Sequence, residues 1–463
     1  VSFLLRDARL VDVVRQQVVE RTSVLVAGGR IVATGDDDEV TAAARATVVA
    51  AGAGEAEVLD CSGRFLLPGL IDSHVHLHSG RHRGPSQHEP VPEHDVEVDE
   101  AVLRSRLHSF LYCGVTSVYD AGNDASRIYR LREQTRSGEL LGPRVFCAGP
   151  FVTCTGGHGS GFGDTVSVDS LPGDLPALRA HFASRPDLVK ITYDEHNWGV
   201  RPLIPVLQRD VLAGIVAAAH DAMLRVTVHV SNELRAREAI AAGADSLAHP
   251  VIQSPATPEL AWMLAAKQIP VASTLAIGDR YVRLADDPGY VDGGFYGACL
   301  DAAEREHLRT VEHAAQRANR WADWMRVMTP VAQENLRALV AAGGLVATGT
   351  DLSLGPEMHR ELELLQGAGI PPAEVLRAAT LNGAIFLGRR ADLGSVEAGK
   401  LADLLLVEED PTRDVTALAT IAAVFKDGEA VARERLDLPG ETGNGSFEGV
   451  THLASSDKRS YPA

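Results

Sequence analysis

His74-Val-His76 closes the apolar run Phe65-Leu-Leu-Pro-Gly-Leu-Ile-Asp-Ser73, which reads as a buried strand. Residues i and i+2 of a strand project to the same side. Two imidazoles at that spacing can grip one metal ion, because neutral imidazole is a common ligand for zinc and similar metals. By itself the pair also fits two ordinary loop histidines. Four further candidates give it weight: Lys190 in Leu188-Val-Lys-Ile-Thr192, His229 in Arg225-Val-Thr-Val-His229, His249 in Ser246-Leu-Ala-His249, and Asp351 in Gly344-Leu-Val-Ala-Thr-Gly-Thr-Asp351. Each lies in or at the end of a short β-prone run, and Gly, Pro or Ser follows. In a (β/α)8 barrel the carboxyl ends of all eight strands share one mouth, so residues far apart in sequence can meet there.

Lys190 stands out for a second reason. Only Lys190, Lys267, Lys400, Lys426 and Lys458 are lysines among 44 basic residues. A lysine inside an apolar strand is costly to bury unless it is neutralised or paired. Left as an ammonium, it would need a partner such as Asp351 or Asp194.

These residues resemble the amidohydrolase superfamily, in the branch of binuclear hydrolases with a carboxylated lysine that includes dipeptidase/prolidase-like and imidazolonepropionase-like members. The resemblance covers nearly the whole chain. It rests on Leu67-Pro-Gly-Leu-Ile-Asp-Ser-His-Val-His76, on Gly349-Thr-Asp351, and on Ala379-Thr-Leu-Asn-Gly-Ala384 through Gly394-Ser-Val-Glu-Ala-Gly-Lys-Leu-Ala-Asp-Leu404. It implies two divalent metal ions, zinc being expected. His74 and His76 would hold the more buried ion, and His229 and His249 the second. Lys190, carrying a CO2-derived carboxylate, would bridge the two. Asp351 would bind the first ion and act as the catalytic proton shuttle. Two metals can share a hydroxide and polarise the oxygen it attacks.

Three more residues are candidate substrate contacts. His158, in Thr155-Gly-Gly-His-Gly159, resembles a histidine that dipeptidase-like members place near the substrate carboxylate. Tyr193 follows the lysine strand, and His359 lies in Glu357-Met-His-Arg-Glu-Leu-Glu363 after the last strand. The chain also departs from its relatives. Ser231 stands where dipeptidase-like members often carry an aromatic residue or histidine able to polarise the carbonyl. Asn232 stands where mononuclear deaminases carry a glutamate, and Glu233 comes one residue late.

The elements needed to position these groups are legible as an α/β pattern. Candidate strands near 69–74, 115–120, 144–148, 188–192, 225–230, 245–249, 269–274 and 344–350 make eight. Helical patterns at 99–112, 210–222, 233–242, 257–267 and 331–342 intervene, as parallel strands with crossover helices require. The expected fold is a (β/α)8 TIM barrel over 67–384. A small β-sandwich domain would be built from both chain ends, 1–66 and 385–435, followed by a polar extension at 436–463. Three long loops, 79–98, 151–175 and 277–330, leave the mouth side and read as substrate walls, with a helix expected at 300–327.

The formal net charge of −18 over 463 residues argues against nucleic acid or an anionic membrane as partner. No stretch approaches the roughly 20 apolar residues of a membrane span. The opening Val1-Ser-Phe-Leu-Leu-Arg lacks a basic region followed by a long apolar one, so no secretory signal is expected. Five scattered cysteines without C-x-x-C spacing fit reduced thiols in a cytoplasm. A small-molecule substrate and a homo-oligomer are expected. The leading function is hydrolysis of an amide bond by a metal-bridging hydroxide, with an N-acyl amino acid or dipeptide-like substrate. The alternatives are a lactone or phosphotriester hydrolase, a non-hydrolytic lyase or decarboxylase on the same fold, and a metal-free scaffold protein.

Overall fold

The computed structural model describes residues 2–51, 56–77, 100–160, 164–196 and 203–440. Five strands open the chain: β1 (Ser2–Asp12), β2 (Gln17–Ala27), β3 (Arg30–Gly35), β4 (Glu57–Asp60) and β5 (Phe65–Pro68). The run that reads as one strand in the sequence is two, broken at Gly69. There a Cβ would lie 2.2 Å from the Thr116 hydroxyl, so only glycine lets the chain cross from one sheet into the next. The second half, β6 (Leu70–Val75), begins the barrel.

The remaining barrel strands are β7 (Val115–Asp120), β8 (Arg144–Cys147), β11 (Leu188–Thr192), β12 (Arg225–His229), β13 (Ser246–Leu247), β14 (Val271–Ala272) and β15 (Val346–Ala347). All eight candidate strands are present. Pairing is parallel through β6-β7-β8 and through β11-β12-β13-β14-β15. Backbone hydrogen bonds span both gaps: Asp187 N–H donates to the Cys147 carbonyl at 2.8 Å, and Ser73 N–H to the Thr348 carbonyl at 2.8 Å. Eight strands thus stand in a ring, the TIM-barrel arrangement. Two further strands, β9 (Phe151–Thr153) and β10 (Thr165–Ser167), extend the sheet beside β11 within the 151–175 segment.

Strand alternation decides which side chains enter the ring. Leu188 joins Ile71, Tyr119, Phe146, Ala272 and Ala347 in a core cluster inside the barrel. Val189, Ile191 and Tyr193 join the larger core between strands and helices. Lys190 shares the inward face with Leu188, and by the same period so do Thr192 and Asp194.

The chain ends return to one mixed eight-stranded sheet. β16 (Leu404–Val407), β17 (Ile421–Lys426) and β18 (Glu429–Ala430) add to β5, β1, β2 and β3 in the order β18-β17-β16-β5-β1-β2-β3, with β4 beside β1. Phe3 on β1 stacks on Phe425 on β17, ring centroids 5.1 Å apart, although two strands separate them in the sheet. The sheet therefore curls around its own core, which includes Phe3, Leu5, Leu404, Leu406 and Phe425. The alternate residues Leu405 and Val407 face the barrel core.

The 277–330 segment is more helical than its sequence suggests. Helices Leu275–Asp286, Gly294–Cys299, Ala302–His307 and His313–Asn319 occupy it, and Trp321–Ala341 contains Pro330 within its span. The 79–98 loop and the chain beyond 440 lie outside the described residues. Among the described residues, no helix is long and apolar enough to cross a membrane.

Candidate metal centre

β6 delivers His74 and His76 to the mouth with their ring orientations fixed. His74 Nδ1–H donates to the Ala248 carbonyl at 3.0 Å, and His76 Nδ1–H to the Gly122 carbonyl at 3.0 Å. A carbonyl can only accept, so Nδ1 carries a proton in both rings, and in the neutral form of each Nε2 keeps the lone pair. Both Nε2 atoms face the same oxygen, Asp351 Oδ1, at 3.4 and 3.2 Å.

The Gly-Thr-Asp sequence explains how Asp351 arrives there. A Cβ on Gly349 would lie 2.8 Å from His74 Cβ, so glycine permits the close approach of β15 to β6. Thr350 anchors on buried Asp72, through its N–H at 3.0 Å and its hydroxyl at 2.7 Å. Asp351 then takes a left-handed conformation, φ 58°, with its N–H on the His74 carbonyl at 2.7 Å.

The second group lies beside the first. His249 is 4.6 Å from His74 and 4.4 Å from His229, ring centre to ring centre. Ligand atoms of His74, His249 and Asp351 lie within 4.8 Å of one another. His229 Nε2 lies 3.3 Å from Asp194 Oδ2. A carboxylate favours the proton on Nε2 and leaves the lone pair on Nδ1. His158 stacks on His229 at 4.2 Å and 21°. Its carbonyl accepts from the Thr192 hydroxyl at 2.6 Å, which ties the Gly-rich loop to β11.

Lys190 is 2% exposed. Burial pulls its ammonium down to about 7, against the Asp351 and Asp120 carboxylates. Burial also keeps His74 and His249 well below the usual imidazole range, so both are neutral near pH 7, the form that binds metal. Burial works against the Asp351 charge, yet where His74, His76 and Lys190 carry their protons they hold its carboxyl below the usual range. Against its burial, the Asp351 and Asp120 carboxylates raise His76, so it alone of the four histidines favours its proton until a cation displaces it. Imidazoles with set orientations, one carboxylate and a buried lysine fit a pair of divalent cations.

Two expected substrate contacts lie elsewhere. Tyr193 faces outward, like Val189 and Ile191. Its hydroxyl donates to Glu238 at 2.7 Å and accepts from Arg235 at 3.1 Å, both on the helix Glu233–Ala242. His359 is buried with Nε2–H on the Cys113 carbonyl at 2.9 Å. Cys113 precedes β7, so His359 sits at the amino end of the strands, opposite the mouth. The structure thus places the His359 ring away from the mouth and engages the Tyr193 hydroxyl with Glu238 and Arg235.

Sequence reasoning missed the acids that hold the candidate metal-binding side chains in place. Asp120 accepts from Leu77 N–H at 2.7 Å and Gly122 N–H at 3.1 Å, fixing the turn after His76 and the carbonyl His76 uses. Asp194 accepts from the Ser231 hydroxyl at 2.8 Å, and Gln253 donates to that hydroxyl at 2.6 Å. Ser231, where relatives carry a substrate-facing ring, here supports Asp194. The available signal was an acid in or just after an apolar run, as in Val115-Thr-Ser-Val-Tyr-Asp120.

Residues 65–431 match the sequence model of the amidohydrolase family. The chain belongs to that family. It is a metal-dependent hydrolase of the carbon–nitrogen class. Imidazolonepropionase of Desulfotalea psychrophila is 25% identical over 425 residues, covering 88% of this chain and 91% of the relative. Ochratoxinase of Aspergillus niger is 23% identical over 396 residues, covering 79% and 73%. The crystal structure of a Xaa-Pro dipeptidase with methionine bound in its active site superimposes with a TM-score of 0.70 at 22% identity, over 93% of this chain and all of that one. At that identity the likeness concerns the fold.

Proposed function

We propose that this amidohydrolase cleaves the amide bond of an N-acyl amino acid or dipeptide-like small molecule at a two-metal site. His74, His76 and Asp351 would hold one ion and His229 and His249 the other, with carboxylated Lys190 as the shared ligand. The observation that carries this reading is the convergence of the His74 and His76 Nε2 atoms on Asp351 beside His249 and His229. Divalent metals, zinc foremost, supply Lewis acidity and lower the pKa of water towards about 7.

The chain's own groups do the rest. A lysine with a pKa of about 7 presents a neutral amine near neutrality. That amine adds to the carbon of CO2 and loses a proton to solvent, leaving an anionic carbamate. Asp351 takes the proton of the attacking water and passes it to the leaving nitrogen. His158, beside His229, contacts the substrate carboxylate. Five cysteines, all buried and without a disulfide, support a cytoplasmic setting.

A substrate panel tests the reading: N-acyl amino acids, dipeptides, lactones and phosphotriesters, with metal-loaded protein. Turnover led by carboxylate-bearing amides is expected. Turnover confined to lactones or phosphotriesters would overturn the amide assignment.

A further inference from the structure

We infer that Glu361 and Thr274 are positioning residues that set the tautomer and aim of His249. The inference rests on the proposed role of His249 as a ligand of the second ion. His249 has its Nδ1 3.0 Å from the Thr274 hydroxyl oxygen. Donation from Nδ1–H to that oxygen leaves the His249 Nε2 lone pair for the metal. Unlike the carbonyls behind His74 and His76, a hydroxyl can rotate and reverse its role. Its position must therefore be fixed by something else.

That something is visible. Thr274 has φ 42° and ψ 42°, the left-handed region, which a β-branched residue seldom adopts. Such a conformation persists where the surroundings over-determine it. Glu361 supplies the constraint from the helix Pro356–Gly367, which follows the next strand of the barrel. Its Oε1 accepts from the Ser273 hydroxyl and from Leu275 N–H at 3.1 Å. Its Oε2 accepts from Ala276 N–H at 2.6 Å. One buried carboxyl group thus binds the residue before Thr274 and the two after it. The same bonds fill the first N–H positions of the helix Leu275–Asp286, whose Thr274 cap makes no side-chain capping bond of its own. Glutamine at 361 would turn an N–H2 towards donors and break the clasp.

The test is metal binding by chelator-stripped, bicarbonate-treated full-length protein, titrated with Zn2+ against a competing chelator. Wild type is expected to take two equivalents in separable steps. Thr274→Val should weaken the second equivalent by about 10- to 100-fold and leave the first unchanged, the usual effect of losing a ligand's hydrogen-bond partner. Thr274→Ser, which keeps the hydroxyl, should restore the wild-type value. Glu361→Gln should reproduce the Thr274→Val pattern; if it fails to fold, the valine and serine pair decides alone. Two wild-type equivalents with a Thr274→Val isotherm like wild type would overturn this inference and spare the two-metal reading. A serine variant as weak as the valine would also overturn it. No zinc uptake by wild type would instead sink the two-metal reading itself.

Discussion

The two ends of the barrel use similar residues in opposite ways. At the carboxyl ends of the strands, His74 and His76 each commit one ring nitrogen to a fixed carbonyl and turn the other towards Asp351. At the amino ends, His359 gives its Nε2–H to the Cys113 carbonyl and lays its ring 4.6 Å from Phe295. His108, on the helix that leads into β7, takes up the Asp437 N–H at 2.8 Å. All four histidines are largely buried. What distinguishes a metal site from packing is whether the remaining donor atoms converge.

The sharpest way to break this contrast is Lys190→Ala. Activity should vanish and metal content should fall, and short carboxylates added with metal should restore part of the rate by occupying the vacated bridge. Near-normal rate and metal content in this variant would remove Lys190 from the site. Next in size is Asp351→Asn, which keeps an oxygen ligand but cannot carry a proton. A loss of about 10²- to 10⁴-fold in kcat is expected, with much of the metal retained; single-turnover kinetics read it.

A smaller effect separates binding from chemistry. His158→Ala should lower kcat/KM for carboxylate-bearing substrates by about ten- to a hundredfold, roughly 1.5–3 kcal/mol, and leave neutral analogues and metal content little changed. Equal losses on both substrate types would show that His158 does not read the carboxylate.

The smallest catalytic effect belongs to the opposite end. Burial lowers His359 from 6.5 to about 4. Below 6.5 the unfolded imidazole takes a proton that the folded one refuses until about 4. The stability tied to its neutral burial is therefore complete above 6.5 and lost as pH falls through that window. His359→Gln should flatten the acid limb of the stability curve and cost about 1–3 kcal/mol at neutral pH, with kcat and metal content unchanged. Denaturant melts at several pH values check this, and a fall in kcat comparable to that of Asp351→Asn would void the contrast.

Much of this geometry was readable from the chain. Period-2 alternation put Lys190 on the side opposite Val189 and Ile191, and the same count excludes Tyr193, which shares their parity. His359 misled because it follows the last strand in sequence, while its helix carries it back towards the amino ends. The supporting role of the buried acids was only faintly marked, for another reason. Asp120, Asp194 and Glu361 act through backbone N–H groups and side chains brought together only by folding. The Gly69 break is marked only by the Pro68-Gly69 dipeptide inside a run that is buried on both sides, and the close approach of Thr116 shows why glycine stands there.

The most direct test of the central claim is elemental analysis of gently purified protein. Two divalent ions per chain are predicted for wild type and for His359→Gln alike, with fewer for Lys190→Ala. Wild-type protein that holds no metal, and that added divalent ions do not activate, would contradict the account.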